Sequence, residues 1–474
     1  MFALVSRTTL FLCLFTSINL LLYISFLNHP HSYLRFTCPN LETGSGPPPH
    51  ASPTNISHLF FGIGGSAKTW EKRRALSSLW WDVESTRGFF WLDEEPLNKK
   101  KTINSGDTKA EISLPYRVSS PVWTWFTHSH LRPGVRMARI ILDSYNLKLP
   151  DVRWFVMGDD DTVFFTHNLV SVLARYDHRE MWYVGVNSES VEQSVKHGYG
   201  TSFGGGGFAL SYPLAEKLVK VLDGCLDRYQ NFYGSDERIC ACITEIGVPL
   251  TKEPGFHQFD IRGDAYGLLA AHPMAPLVSL HHVEVLAPMF PNKTRIHSLK
   301  SLIEPYRLDP HRILQQSVCY DSKRKWSISV AWGYTIQIYP WPVTAAELNI
   351  PLQTFKTWKT KSNGPFTFNT RLMPADPCER PVMYFLDQVE EVGSIGTRTS
   401  YKLDTSGKTC NNSADYDLVM AVKSIRVTSM KMAPDHWHKA PHRQCCEIMD
   451  KGGKKSRNML IRIRKCRQWE TTAI

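Results

Sequence analysis

Short apolar runs alternate with segments of helical period through the first two-thirds of the chain. Leu59-Phe60-Phe61-Gly62-Ile63 is an unbroken apolar run, too short for a helix, and reads as a buried strand. Lys68 to Trp80 sets Trp70, Leu76, Leu79 and Trp80 among basic residues and predicts a helix. Gly88-Phe89-Phe90-Trp91-Leu92 predicts a second strand, ending in Asp93-Glu94-Glu95, and residues 98–113 read as a polar loop. A helix opens at Pro133, where Val135, Met137, Ala138, Ile140, Ile141 and Leu142 give a broad apolar face. Trp154-Phe155-Val156-Met157 then predicts a strand that runs into Gly158 and three consecutive aspartates, Asp159, Asp160 and Asp161. Strand, helix, strand, helix, strand predicts an α/β sandwich with parallel strands. The alternation continues with a helix over Asn168–Ala174, a strand at Trp182–Val186 and a glycine-rich turn before Phe208–Ser211. Helices follow over Pro213–Leu222 and from Ser235 to Glu245, with Ser235 as N-cap and Asp236 and Glu237 in the first turn. Val278 to Glu284 reads as a strand on which alternation sends His281 and His282 to opposite faces.

Beyond residue 310 the period changes. Trp326–Trp332, Tyr334–Tyr339 and Met459–Arg464 alternate apolar and polar positions, which predicts antiparallel strands in a β-rich accessory module over 311–474. At the other end, Leu10 to Leu27 is almost wholly apolar, uncharged and long enough to span a bilayer. Arg7 precedes it and no small-x-small cleavage site follows, so the segment reads as an uncleaved signal anchor with its N-terminus in the cytoplasm. The expected organisation is a cytoplasmic tail (1–9), a transmembrane anchor (10–27), a Pro/Gly/Ser-rich stem (28–57), an α/β domain (58–310) and the β-rich module (311–474). The stem and both domains would be lumenal. Sequons at Asn55, Asn292 and Asn411 fit that placement.

Composition changes this picture little. The 42% apolar content suits folded cores, and the net charge of +11 is dispersed except for Lys451–Arg467, with no nucleic-acid-binding motif, so no nucleic-acid partner is expected. In an oxidising lumen several of the cysteines beyond Cys13 should pair, in a pattern that spacing does not reveal. Cys240-Ala-Cys242 lacks zinc-site spacing.

Three features carry candidate chemistry. Asp159, Asp160 and Asp161 end a buried strand, at the edge where open α/β sheets bind ligands. Such close carboxylates repel one another, so a divalent cation with oxygen ligands is expected there, or a nucleotide phosphate bridged through one. Gly204 to Gly207 form neither a Walker loop nor a dinucleotide fingerprint; four glycines in a row read as a place where a ligand approaches the backbone rather than as a packing requirement. Asp236 and Glu237 serve helix capping on the plain reading and a general base on the sharper one. The aspartates also fit the nucleophile motif of haloacid-dehalogenase-type phosphatases, with Asp159 as nucleophile, but that chemistry needs a later Lys and an acidic pair after an apolar strand, and Asp236-Glu237 follows polar residues. A lumenal carbohydrate-binding or scaffold protein without activity is the non-enzymatic alternative.

Four pieces stand in order along the chain: Asp159-Asp160-Asp161-Thr162, Gly204 to Ser211, Asp236-Glu237 and Leu280-His281-His282-Val283-Glu284. Over roughly residues 58–290 this set resembles the fringe-related family of plants, which is similar to the animal fringe and β-1,3-galactosyltransferase group. The resemblance implies a GT-A fold, a UDP-sugar donor, a manganese ion or another divalent cation, and a glycan or glycoprotein acceptor. It implies an inverting transfer to a hydroxyl with a β-1,3 linkage, in a type II Golgi membrane protein. Carried to this chain, it makes Asp161 the main metal ligand and His282 the second, with His281 as the alternative. Asp159 and Asp160 would contact the ribose or sugar, Gly205 and Gly206 would lie against the sugar, and Asp236 would be the base with Glu237 as alternative. The C-terminal module looks like that of the plant family and has no counterpart in fringe.

Overall fold

Strands β1 (Leu59–Gly64), β2 (Arg87–Leu92), β3 (Tyr116–Val118) and β4 (Trp154–Asp159) pair in parallel in the order β3-β2-β1-β4. The computed structural model describes residues 52–96, 113–120, 132–407, 410, 413–449 and 457–473. The expected tail and anchor, nearly all of the stem, most of the 98–113 loop and the Asn411 sequon lie outside the described residues. Among those described, no helix is long and apolar enough to cross a membrane.

The strands are apolar on both faces because both faces are covered. Leu59, Phe61 and Ile63 of β1 join one apolar cluster with Trp70 and Leu76 of helix α1 (Ala67–Ser77). Phe60 joins a second cluster with Val135, Ala138 and Ile141 of helix α2 (Arg132–Tyr145). Aromatic contacts fix the first face: Phe61, Trp80 and Phe164 approach pairwise at 5.1–5.6 Å, each such pair contributing about 0.5–1.5 kcal/mol beyond area burial. Phe164 belongs to the short strand β5 (Val163–Phe164), so this triangle fixes the chain immediately after the aspartates.

After helix α3 (Thr166–Leu173) the sheet departs from the all-parallel expectation. Strands β6 (Tyr183–Gly185), β7 (Phe208–Ser211) and β8 (Leu250–Lys252) extend it as β4-β7-β6-β8, with β7 antiparallel to both neighbours. Because β7 enters reversed, Gly204–Gly207 ahead of it lie at the same edge as the carboxyl ends of β1, β2, β4, β6 and β8. Helix α4 (Val191–His197) follows β6, and helices α5 (Tyr212–Arg228) and α6 (Ser235–Ile246) pack on the α2 face. A disulfide, Cys225–Cys242, joins α5 to α6. The predicted cap is off by one: Gly234 is the N-cap and Ser235 opens the helix.

Beyond β9 (Ile261–Gly263), helix α7 (Tyr266–Ala270), β10 (Ser279–Leu280) and helix α8 (Arg295–Leu308), the chain builds a second sheet. Its strands are β11 (Gln316–Asp321), β12 (Trp326–Ala331), β13 (Thr335–Tyr339), and, after the small strands β14 (Leu352–Gln353), β15 (Phe355–Thr357) and β16 (Arg371–Leu372), β17 (Val382–Val392), β18 (Gly396–Leu403), β19 (Ser424–Met430), β20 (Cys445–Ile448) and β21 (Asn458–Arg464). Pairing is antiparallel throughout except between β19 and β21. Three disulfides fasten this region: Cys319–Cys446, Cys378–Cys410 and Cys445–Cys466. Its apolar side chains, among them Tyr334, Tyr384 and Ile461, continue the cluster begun by Leu59 and Phe61. The later segment also reaches the first sheet's ligand edge, where β15 pairs with β9.

Candidate active site

The buried run of β4 ends at Asp159, and a turn closed by Thr162 N–H on the Asp159 carbonyl (2.9 Å) aims the three aspartates in different directions. Asp160 is 1% exposed and turns to α1, where Arg73 Nη1 donates to it at 2.5 Å. Asp161 is buried between two cations: Arg73 Nη2 lies 3.1 Å from one oxygen and His281 Nε2 3.1 Å from the other. Asp159 keeps 34% of its side-chain surface open, with His281 Nε2 at 3.9 Å. One ligand atom each from Asp159, Asp161 and His281 can be chosen so that all lie within 4.8 Å of one another.

His281 therefore stands where His282 was expected. The alternation argument fails because the chain leaves strand geometry: β10 ends at Leu280 and His282 has φ +55. The two rings then lie on the same side, with centroids 3.7 Å apart. His282 stacks on Trp358 at 4.5 Å and 3°. Its Nδ1 is 3.7 Å from Asp260 and has no hydrogen-bond partner among the described residues.

The glycines also do something other than expected. A Cβ on Gly205 would fall 2.0 Å from His281 Cε1, and one on Gly204 would fall 2.7 Å from Asp236 Oδ1. Gly205 accepts from Thr162 Oγ1 at 2.7 Å through its carbonyl, and Gly206 N–H donates to Gln258 Oε1 at 2.5 Å. The turn is thus a packing requirement at these positions: it lets a histidine and an acid press against bare backbone. Gly207, at φ +83, adds a conformation that favours glycine.

Asp236 sits half-buried at the start of α6, accepting from Ser235 Oγ at 3.2 Å and from the Gly204 N–H. Glu237 is occupied elsewhere. It pairs with His197 and accepts from the Tyr233 and Gly234 amides at 3.2 and 3.4 Å, so it caps the helix start.

Charge at this edge is strongly coupled. Burial, together with the neighbouring Asp161, Asp236 and Asp160, pushes the Asp159 carboxyl up to about 7 against the pull of His281. Asp161 goes the other way: burial opposes ionisation, yet His281 and Arg73 hold it well below the usual carboxylate range. Burial would lower His281, but Asp161 and Asp159 raise it to about 9. Burial pushes Asp236 up to about 6, partly offset by the Gly204 N–H and Ser235.

Residues absent from the sequence expectation complete the site. Arg73 bridges Asp160, Asp161 and Glu284. Asp260, held by Ser188 Oγ at 2.7 Å, and Glu189, whose carboxylate accepts from the Asp260 amide at 3.4 Å, are both buried behind the histidines. Asp260 carried a faint signal as a lone acid between Phe259 and Ile261, and Arg73 carried one in the basic run Lys72-Arg73-Arg74. Glu189 and Trp358 carried none.

The donor set is two carboxylates and one imidazole, which suits manganese or a similar divalent ion better than a soft, thiolate-seeking one. The residues present fit such an ion.

The family described as "Protein of unknown function, DUF604" matches residues 193–446. The β-1,3-glucosyltransferases of human and mouse are each 30% identical to this chain, over 112 and 114 residues, covering 22% and 23% of it. The chain spans about a fifth of the length of these curated relatives (20% and 21%). A solved glycosyltransferase involved in glycosylation of the major capsid of PBCV-1 aligns with 51% of this chain and 96% of its own, at 11% identity and a TM-score of 0.28, a likeness too slight to support a conclusion.

Proposed function

This chain belongs to the DUF604 family, and we propose that it is a metal-dependent, inverting glycosyltransferase. It would move a sugar from a UDP-sugar to a hydroxyl of a glycan or glycoprotein acceptor with formation of a β-1,3 linkage, in the manner of the plant fringe-related enzymes. The observation that carries this reading is the meeting of Asp159, Asp161 and His281 at the carboxyl edge of the first sheet. The similarity to β-1,3-glucosyltransferases supports it.

Asp159, Asp161 and His281 would hold the ion, with neutral His281 as the nitrogen ligand. A bound divalent cation supplies Lewis-acid stabilisation of the charge that develops on a nucleoside diphosphate leaving group. Arg73 keeps Asp161 ionised and oriented. Asp236, raised by burial yet largely ionised near neutral pH, would take the proton from the acceptor hydroxyl as it attacks the anomeric carbon, a contribution of roughly 10²–10⁴-fold. One base and one displacement invert the anomeric centre. The reading includes a lumenal catalytic region in a Golgi type II protein.

The test is a panel of UDP-sugars screened for manganese-dependent hydrolysis and for transfer. Asp236→Asn should abolish transfer while leaving metal-dependent UDP binding within about threefold of wild type. Full transfer by Asp236→Asn would remove the base assignment, and release of phosphate from monoesters in place of UDP-sugar turnover would replace the transferase reading with the phosphatase one.

A further inference from the structure

A cavity of about 770 Å³, within the size range of small-molecule sites, opens between the end of the first sheet and the C-terminal segment. Its wall is mostly apolar: Phe256, Leu268 and Met274 from the first region, Ile350, Pro351 and Phe368 from the C-terminal segment. The buried polar groups along it are already engaged within the protein. Asn187 Nδ2 donates to the Ser188 carbonyl at 3.3 Å and to Ser194 Oγ at 3.2 Å. Glu189 accepts from the Asp260 amide at 3.4 Å, and His257 Nε2 lies 2.9 Å from His272 Nε2. Arg443 differs from these. Its Nη2 donates to Asn349 Oδ1 at 2.6 Å, yet no carboxylate among the described residues pairs with it. The side chain is half-buried, and that loss of water lowers its pKa with no neighbouring acid to offset it. Its backbone is tethered close by, because Cys445 and Cys446 are bonded to Cys466 and Cys319.

We propose that this cavity binds a small anionic amphiphile, a carboxylate on an alkyl or aryl body, with the carboxylate on Arg443 and the body against the apolar wall. A partly desolvated cation without a counter-ion is costly, and a ligand carboxylate removes that cost. Asn349 occupies one donor of the guanidinium fork, and those left over suit a carboxylate. A neutral apolar molecule would fill the wall and leave Arg443 unmatched. A bare sugar would find its hydroxyls facing apolar side chains and polar groups that are already bonded. The site is separate from the chemistry proposed above: neither Asp236 nor any of Asp159, Asp161 and His281 lines it. The proposal therefore does not rest on the transferase reading. Because the wall is shared between the first region and the C-terminal segment, an occupant would also fasten one to the other.

The probes are octanoate and 4-phenylbutanoate, each beside its primary amide, with acetate as the head group alone. Binding to the full-length protein at neutral pH is followed by calorimetry and ligand-observed NMR. At least one of the two acids is expected to bind tenfold or more tightly than both its amide and acetate, and to raise Tm. Arg443→Met should bring that acid down to the affinity of its amide, while the amide itself binds within twofold of wild type and so reports an intact cavity. Arg443→Lys should keep part of the preference for the acid, at least threefold. Ala346→Trp places bulk at the cavity from an exposed position on helix α9 (Ala345–Leu348) and should weaken acid and amide alike at least tenfold. Binding of neither acid, equal binding of acid and amide, or acetate binding as tightly as the longer acids would overturn the proposal. So would an acid preference that survives Arg443→Met, or binding unchanged by Ala346→Trp. No UDP-sugar enters these measurements, so their failure leaves the transferase reading standing, and failure of that reading leaves this site standing.

Discussion

Gly205→Ala tests whether the glycine turn exists to seat His281. The added Cβ would lie 2.0 Å from His281 Cε1, 2.4 Å from Nδ1 and 2.5 Å from Nε2. Ordinary contact begins near 3.4 Å, so the ring must retreat by 3.4 − 2.0, about 1.4 Å. It has little room to do so. His281 is 3% exposed, its N–H is held by the His257 carbonyl at 3.1 Å, its Nδ1 lies 3.2 Å from the Gln258 carbonyl and its other face meets His282 at 3.7 Å. Overpacking of this kind costs about 1–3 kcal/mol of stability. Displacement of a working group by about 1 Å costs roughly 10²-fold in rate. The expected result is therefore a folded protein with a modestly lower Tm, manganese affinity weakened at least tenfold and turnover reduced about a hundredfold. Gly200→Ala is the control, since a Cβ there meets nothing within 4 Å. Calorimetric manganese titration, thermal unfolding and UDP-sugar hydrolysis read the three quantities. If Gly205→Ala keeps wild-type metal affinity and turnover, the ring does not occupy the position assigned to it and the site described here is wrong.

Metal binding should carry a pH signature. His281 is raised to about 9, so near neutral pH it holds a proton that must leave before the nitrogen can bind an ion. Apparent manganese affinity should rise about tenfold per pH unit from pH 7 towards 9 and flatten above it, and more steeply below 7, where Asp159 must also lose its proton; calorimetry in buffers of different ionisation enthalpy would show about one proton released near pH 8, and a pH-independent affinity would exclude His281 as a ligand. The Cys225–Cys242 bridge spans 17 residues and ties α5 to α6, the helix whose first turn carries Asp236. Replacing both cysteines by serine should cost about 3 kcal/mol in urea unfolding, from the loop-closure entropy of a link this short, and an unchanged midpoint would mean the bridge constrains nothing.

Much of the architecture was legible because it depends on local pattern. Runs such as Leu59–Ile63 and Trp154–Met157 are apolar at every position, which fits strands covered on both faces, and that is where β1 and β4 lie. The alternation after residue 310 announced the second sheet for the same reason. Direction was not legible: nothing local in Phe208–Ser211 says that β7 inserts reversed between β4 and β6.

The division is clearest at the site. The sequence by itself determined that carboxylates follow a buried strand and that a histidine pair, a glycine turn and an acid at a helix start accompany them. Only the tertiary structure decided which of these meet. A backbone with φ +55 at His282 turned that ring to Trp358 and left His281 at Asp161. Gly205 became the seat of that imidazole, and Asp160 went to Arg73, 87 residues away along the chain. Such choices depend on contacts between segments distant in sequence, and hydrophobic period carries no record of them.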